Sequence, residues 1–338
     1  MKTITLDEPG RFSRSDTAEP GGAPAGEAIV RVRRVGVCGT DLHAYRGRQP
    51  FFEYPRILGH ELGVEVVEAP ANDRGLTPGD LCAVEPYLNC GECGACRRKK
   101  SNCCERLRVL GVHIDGGMRE LITVPVDKLH PSRRLSLDQL ALVETLGIGA
   151  HAVARAALEP GENVLVIGAG PIGLSVIQFA QVAGARVVLV ELSPSRREFC
   201  RRHFGVESAI EPGEGTEARL REVLSGELPA AVFDATGNPG SMAVSFGYVA
   251  NGGRLVLVGL VQGDVSFHDP EFHRREITLL ATRNSLPDDF RRIVGLLEEG
   301  RIDTKPWITH RAGYGDFVEQ FPAWLDREAG VVKAILEL

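Results

Sequence analysis

Hydrophobic and polar positions fall into two regimes along this chain, with the change near residue 146. In the first regime, runs such as EAIVRVRRVGV and GVEVVEA are rich in β-branched residues and lie between Gly- and Pro-containing turns, which is how strands read. In the second, GIGAHAVARAALE has the spacing of a helix, and ENVLVIGAGPIGLSVIQFAQVAGARVVLVELS reads strand, tight turn, helix, strand. AAVFDAT, GRLVLVGL and ITLLAT follow as further buried strands. Apolar strands alternating with helices predict an α/β fold with a doubly wound parallel sheet, here preceded by a β-rich domain. From about Ser285 the pattern gives another helix, DDFRRIVGLLEEG, and a closing apolar run, VVKAILEL, suited to a strand that returns to the first domain.

Length and charge narrow the function classes. At 338 residues the chain has room for two domains of about 100–200 residues each. It carries 39 basic and 45 acidic residues, a formal charge of −6, which argues against nucleic acid as the main partner. The basic run from Arg97 to Lys100 is too short to change that. No apolar run reaches the ~18–20 residues that span a bilayer. The opening MKTITLDEPGRFSRSD has no apolar signal core, so a cytoplasmic setting with reduced thiols is expected.

Eight cysteines in such a setting point to metal rather than crosslinks. Cys90, Cys93, Cys96 and Cys104 sit in NCGECGACRRKKSNCCE, separated by two, two and seven residues. This spacing suits one tetrahedral Zn²⁺ held by four thiolates, a closed and therefore structural site. Disulfides or plain buried thiols are the alternatives. Zinc with four thiolates carries two negative charges, which Arg97, Arg98, Lys99 and Lys100 can offset. Cys82, Cys103 and Cys200 remain as buried or neutral thiols.

Gly168, Gly170 and Gly173 form GAGPIG, with Pro171 and Ile172 between them, after an apolar strand and before a helix. In that context the glycines allow a tight turn and close backbone approach to a pyrophosphate at a helix N-terminus. Glu191 ends the next strand, 18 residues after Gly173, where a carboxylate can accept hydrogen bonds from ribose hydroxyls and repel a 2′-phosphate. NAD is therefore favoured over NADP, although Arg196 and Arg197 could pair with a 2′-phosphate.

Three further segments carry candidate ligands: Cys38 in VGVCGTDLH, His60 and Glu61 in LGHELG, and Glu144 in the apolar LALVETLG. Taken alone, Cys38 and His60 suit a protein core as well as a metal. A carboxylate in an apolar stretch needs a partner, and a cation would be one. Cys38, His60 and Glu144 could supply the three ligands of an open catalytic zinc site, with Glu61 as a fourth or exchanging ligand.

Together, VCGTDLH, LGHE, the cysteine lobe, GVHIDGG, LVETL, GAGPIG and DATG resemble the motifs of the zinc-dependent medium-chain dehydrogenases, most of all their polyol (sorbitol-type) branch. They run in that family's order from residue 38 to 237. The resemblance implies a GroES-like catalytic domain over residues 1–146 and 285–338 carrying the structural zinc lobe, and a Rossmann NAD-binding domain over 147–284. It implies two zincs per chain, one catalytic and one structural, with substrate and nicotinamide meeting in the interdomain cleft. The zinc would lower the pKa of a substrate hydroxyl as a Lewis acid, with hydride passing to NAD. Thr40 falls where the family hydrogen-bonds the substrate oxygen, and His43 where it passes the proton to solvent. Thr236 and Gly237 fall where backbone groups line the cofactor cleft. One departure stands out. This chain reads Glu144-Thr145-Leu146 where polyol relatives read Glu-Pro-Leu, so Glu144 could ligate directly or through water.

The substrate-pocket candidates are Tyr45, Phe51, Phe52, His113, Met118 and Arg283. They suit a small-molecule secondary alcohol on a polyol, sugar or sugar acid, and His113 with Arg283 favours hexonates. A threonine-type or simple-alcohol dehydrogenase on the same scaffold, and a non-catalytic nucleotide-binding sensor, are the alternatives. Family members form dimers or tetramers, and GRLVLVGL with ITLLAT could form an intersubunit edge.

Overall fold

The computed structural model describes residues 1–50 and 52–338. The chain divides into two compact units, Met1–Thr145 together with Leu286–Leu338, and Leu146–Ser285.

The first unit is built on a seven-stranded, mostly antiparallel sheet. EAIVRVRRVGV forms its central strand, Glu27–Val37, which pairs with Glu61–Glu68 along one edge. Along the other edge it pairs with Leu121–Pro125 near its start and with Lys333–Glu337 near its end. The closing apolar run thus returns to this sheet, as its pattern predicts. Val30, Val32, Val35, Leu62, Val64 and Leu336 are buried in one core. A hairpin leaves the sheet between the short strands Tyr87–Leu88 and Arg108–Val109, which pair with each other. The loop between them carries the cysteine cluster.

The second unit holds six parallel strands in the order Ala209–Ile210, Arg186–Val190, Asn163–Ile167, Ala231–Asp234, Arg254–Leu257, Thr278–Ala281. Strand order reverses about Asn163–Ile167, the arrangement of a dinucleotide-binding Rossmann sheet. The middle strands are buried on both faces, which is why NVLVI and AVFD read as unbroken apolar runs rather than alternating ones. The helix expected from GIGAHAVARAALE spans Val143–Ala156, beginning earlier because the apolar residues before it continue the same buried face. It stops where Ala157 turns to φ +48°. Among the described residues, no helix is long and apolar enough to cross a membrane.

Candidate active site

Cys38 caps the start of the helix Gly39–Tyr45, and the buried Asp41 fixes that turn by accepting from the Cys38 backbone N–H at 2.9 Å. His60 and Glu61 lead into the neighbouring strand Glu61–Glu68. Sheet pairing sets Gly36 opposite Glu61. A Cβ on Gly36 would meet Glu61 Oε2 at 2.1 Å, so only glycine leaves room for that carboxylate. The donor atoms of Cys38, His60 and Glu61 lie within 4.8 Å of one another. A thiolate, an imidazole and a carboxylate are the ligand types zinc takes, and three leave a coordination position open.

The electrostatics suit a cation. Burial disfavours charge on His60, but Cys38, Asp41 and Glu144 outweigh it and hold the imidazole well above its ordinary range. That shift reports a strongly negative local potential. Asp41 Oδ1 and His60 Nδ1 are both buried without a hydrogen bond and stand 3.9 Å apart. A carboxylate beside the non-ligating nitrogen is how a metal-ligating histidine is usually oriented. Burial raises Asp41 above the carboxylate range.

Glu144 is not in the group of three. It is close enough to interact electrostatically with His60 and Glu61, and burial raises its pKa. Its hydrogen bond is to the Tyr87 hydroxyl, which donates to Oε1. Glu61 is held differently. Lys333, from the final strand, donates to both its oxygens, and the pair is buried. Burial would raise Glu61, but Lys333 and His60 together pull it below the carboxylate range.

Sequence reasoning missed Lys333 and Tyr87. Lys333 had a signal, since a lone lysine inside the apolar run VVKAILEL must be paired if buried. Tyr87 had none, because an aromatic residue before a loop is ordinary core.

Thr40 lies in the first turn of the helix that Cys38 caps, and His43 is exposed one turn on. Although His43 is exposed overall, desolvation of the covered part of its ring, then Arg46 and Arg48, hold it below the ordinary imidazole pKa. Tyr45 stacks on Phe12 with ring centroids 5.4 Å apart and tilts against Phe321, so it packs with the core. Phe51 lies outside the described residues. Phe52 packs edge-on to Tyr54, and Met118 is fully buried. The His113 turn is tied to the His60 segment: Gly116 N–H donates to the Ile57 carbonyl at 2.8 Å and Gly117 N–H to the Gly59 carbonyl at 2.9 Å. His113 Nδ1 accepts from the Val109 N–H at 3.1 Å, which leaves the ring proton on Nε2. Arg283 is exposed in the second unit, just after Thr278–Ala281.

Cys90, Cys93, Cys96 and Cys104 also bring their sulfurs within 4.8 Å of one another. Backbone N–H groups already point at them: Cys93 N donates to Cys90 Sγ and Arg106 N to Cys104 Sγ, both at 3.4 Å. Backbone N–H groups of Glu92 and Cys93 lower the Cys90 thiol to about 6, favouring the thiolate a metal requires. These residues therefore fit a closed Cys₄ zinc site. Of the other cysteines, Cys82 and Cys200 are buried, with pKa values pushed up to about 12 by burial. Cys103 is exposed, because the short turn Ser101–Cys103 directs Asn102, not Cys103, into the interior.

In the second unit, Gly168 takes φ +94°, and a Cβ on Gly173 would meet the Gly168 carbonyl oxygen at 1.8 Å. Gly170 caps the helix Pro171–Val182, with Pro171 at its first position and Ile172 next. Glu191 accepts from the N–H groups of Ala169 at 2.6 Å and Ser193 at 2.7 Å, so its carboxylate is pinned beside the glycine turn. Arg196 reaches the Ala169 carbonyl at 3.3 Å. Arg197 is committed to the Glu191 and Leu192 carbonyls and to Glu211. Asp234, fully buried at a strand end, accepts from the Thr236 backbone and hydroxyl and thereby shapes the turn at Thr236 and Gly237.

The chain is similar to known proteins over most of its length. Residues 24–134 match the family described as alcohol dehydrogenase GroES-like domain, and residues 171–299 match zinc-binding dehydrogenase. The L-galactonate-5-dehydrogenase of Escherichia coli K12 is 41% identical over 92% of this chain and 91% of its own. A crystal structure described as a short chain alcohol dehydrogenase from E. coli CFT073, complexed with NADH, is 26% identical with a TM-score of 0.92 and covers 100% of this chain and 99% of its own. A putative zinc-binding dehydrogenase from Sinorhizobium meliloti 1021, bound to NADP, is 28% identical with a TM-score of 0.91 over 100% of this chain and 99% of its own.

Proposed function

This chain belongs to the zinc-binding dehydrogenase family, and from that premise we propose that it oxidises a secondary alcohol of a hexonate-type sugar acid, with NAD as hydride acceptor and two zincs per chain. The convergence of Cys38, His60 and Glu61 carries the reading, because it offers three zinc ligands and an open position. The likeness to an L-galactonate dehydrogenase supports the substrate class.

When bound, zinc supplies Lewis-acid polarisation of the substrate hydroxyl, and NAD supplies the hydride acceptor. The chain's own residues do the rest. Asp41 holds the Cys38 turn and faces His60. Lys333 keeps Glu61 ionised and in place. Thr40 hydrogen-bonds the substrate hydroxyl, and His43, neutral near pH 7, takes up the released proton and passes it to solvent. His113, in the turn tied to the His60 segment, is a polar group proposed to face substrate oxygens. Arg283 provides a guanidinium for an anionic group, a carboxylate or a pyrophosphate. Glu191 selects NAD by its charge, and Arg197 is already engaged elsewhere.

A homo-oligomer is part of the proposal. Thr278–Ala281 is the edge strand of the parallel sheet, and Leu279 and Leu260 are 40% and 71% exposed. A bare apolar edge of this kind is suited to pairing with a second copy. The substrate assignment is tested by NADH formation on hexonates, hexitols, threonine and simple alcohols. Preferential turnover of hexonates is expected. Preferential turnover of threonine or a simple alcohol would replace the substrate assignment and leave the dehydrogenase intact.

A further inference from the structure

The cysteine loop and the Cys38 cluster are joined by a short physical path. The loop is closed at its base by the pairing of Tyr87 with Val109 and of Leu88 with Arg108. Tyr87 is therefore a stem residue of the loop, three positions before Cys90. It is buried, its ring lies edge-on to Phe290 at 6.3 Å, and its hydroxyl donates to Glu144. That is the one hydrogen bond of the Glu144 carboxylate among the described residues, although Glu144 is buried.

The stem is also tied to the cysteines from the side. Asn89 donates to Cys96 Sγ at 3.8 Å, and its carbonyl oxygen accepts from Lys128 at 3.1 Å. Lys128 is buried and paired with the buried Glu85 at 2.6 Å. Because Lys128 can only donate, it fixes which way the Asn89 amide points, and so directs an N–H at the sulfur. Glu85 in turn meets His130 at 3.4 Å, and the His130 ring stacks on Phe290 at 4.8 Å, the ring that Tyr87 touches. Closing the cysteine loop therefore leaves little freedom to Asn89, and through the stem to Tyr87.

We propose that Tyr87 is a positioning residue that couples the cysteine lobe to the Cys38–His60–Glu61 cluster: its hydroxyl sets where the Glu144 carboxylate stands, and metal in the lobe sets Tyr87. The proposal rests on the two-zinc reading above. It gives the closed lobe a task beyond stability, because the state of the lobe changes the carboxylate beside the cluster.

The test uses Tyr87→Phe and Asn89→Ala in the full chain, followed by metal content, kcat and KM separately, and the visible spectrum with Co²⁺ in the Cys38 cluster. Tyr87→Phe is expected to keep two metals per chain, displace the Co²⁺ band and lower kcat about tenfold with a smaller change in KM, the scale of losing one hydrogen bond to a buried charge. Asn89→Ala is expected to release lobe zinc to a chelator faster and to displace the same band in the same direction. A Tyr87→Phe protein with two metals and an unchanged band and kcat overturns the role of Tyr87. An Asn89→Ala protein that has lost lobe metal but keeps the native band overturns the coupling. A native protein that binds metal only in the lobe overturns the two-zinc reading itself, and is told apart from the first two results by its metal content.

Discussion

Lys333 Nζ lies 2.7 Å from both carboxylate oxygens of Glu61 and 3.2 Å from the Val37 carbonyl, in a pocket closed to solvent. The last strand of the chain thereby secures a candidate metal ligand on a strand that begins at residue 61. Removing one member of a buried pair leaves an uncompensated charge. Lys333→Met is expected to lower stability by about 3–5 kcal/mol in denaturant unfolding. Lys333→Met combined with Glu61→Gln is expected to recover a large part of that loss. Equal losses in the single and double variants would show that charge pairing is not what holds these residues together.

Glu191 is pinned by two backbone N–H groups beside the glycine turn. A charge-assisted hydrogen bond is worth about 1.5–3 kcal/mol, so Glu191→Ala should weaken NAD binding at least about tenfold. It should also remove the repulsion of a 2′-phosphate and narrow the NAD-over-NADP preference. Titrating both cofactors by fluorescence checks this, and an unchanged preference would assign discrimination to other residues.

His43 has its pKa lowered by partial burial, then by Arg46 and Arg48. The depressed value means the ring is neutral at pH 7 and gains a proton only as pH falls below the ordinary imidazole range. A proton relay through His43 is then blocked on the acid side. The pH profile of kcat is expected to fall there, below about 6.5, and His43→Gln should lower kcat and remove that limb. A profile that His43→Gln leaves unaltered would take the relay away from this residue.

The exposed edge at Thr278–Ala281 carries the oligomer prediction. Leu279→Glu places a charge on that edge and is expected to yield monomers by light scattering after size exclusion. Retention of the native mass would move the interface elsewhere.

Much of this arrangement was legible in the sequence, for reasons particular to certain residues. NVLVI followed by GAGPIG could be read because a doubly buried strand and a tight glycine turn each demand a narrow set of residues. The four cysteines could be read because ligands close in sequence are close in space. Cys38, His60 and Glu144 lie far apart along the chain, so their residue types suggest a zinc site but their spacing cannot show which of them, or Glu61, come together. The structure brings the donor atoms of Cys38, His60 and Glu61 within 4.8 Å of one another, and Glu144, near His60 and Glu61, accepts a hydrogen bond from Tyr87. That distinction depends on which partner each carboxylate meets, Lys333 or Tyr87, and spacing carries no such information. Tyr45 illustrates the converse. A pocket candidate by sequence, it is the last residue of the helix Gly39–Tyr45, and its ring packs against Phe12 and Phe321, contacts that spacing does not reveal.

The most direct measurement is NAD reduction by L-galactonate with the native protein, after metal removal, and after zinc is restored, with metal content followed throughout. Turnover with two zincs bound, loss of turnover as the Cys38 cluster is emptied, and recovery when zinc returns are expected. Undiminished turnover in the metal-free protein would contradict this, and so would a fully zinc-loaded protein that reduces NAD with none of the sugar acids.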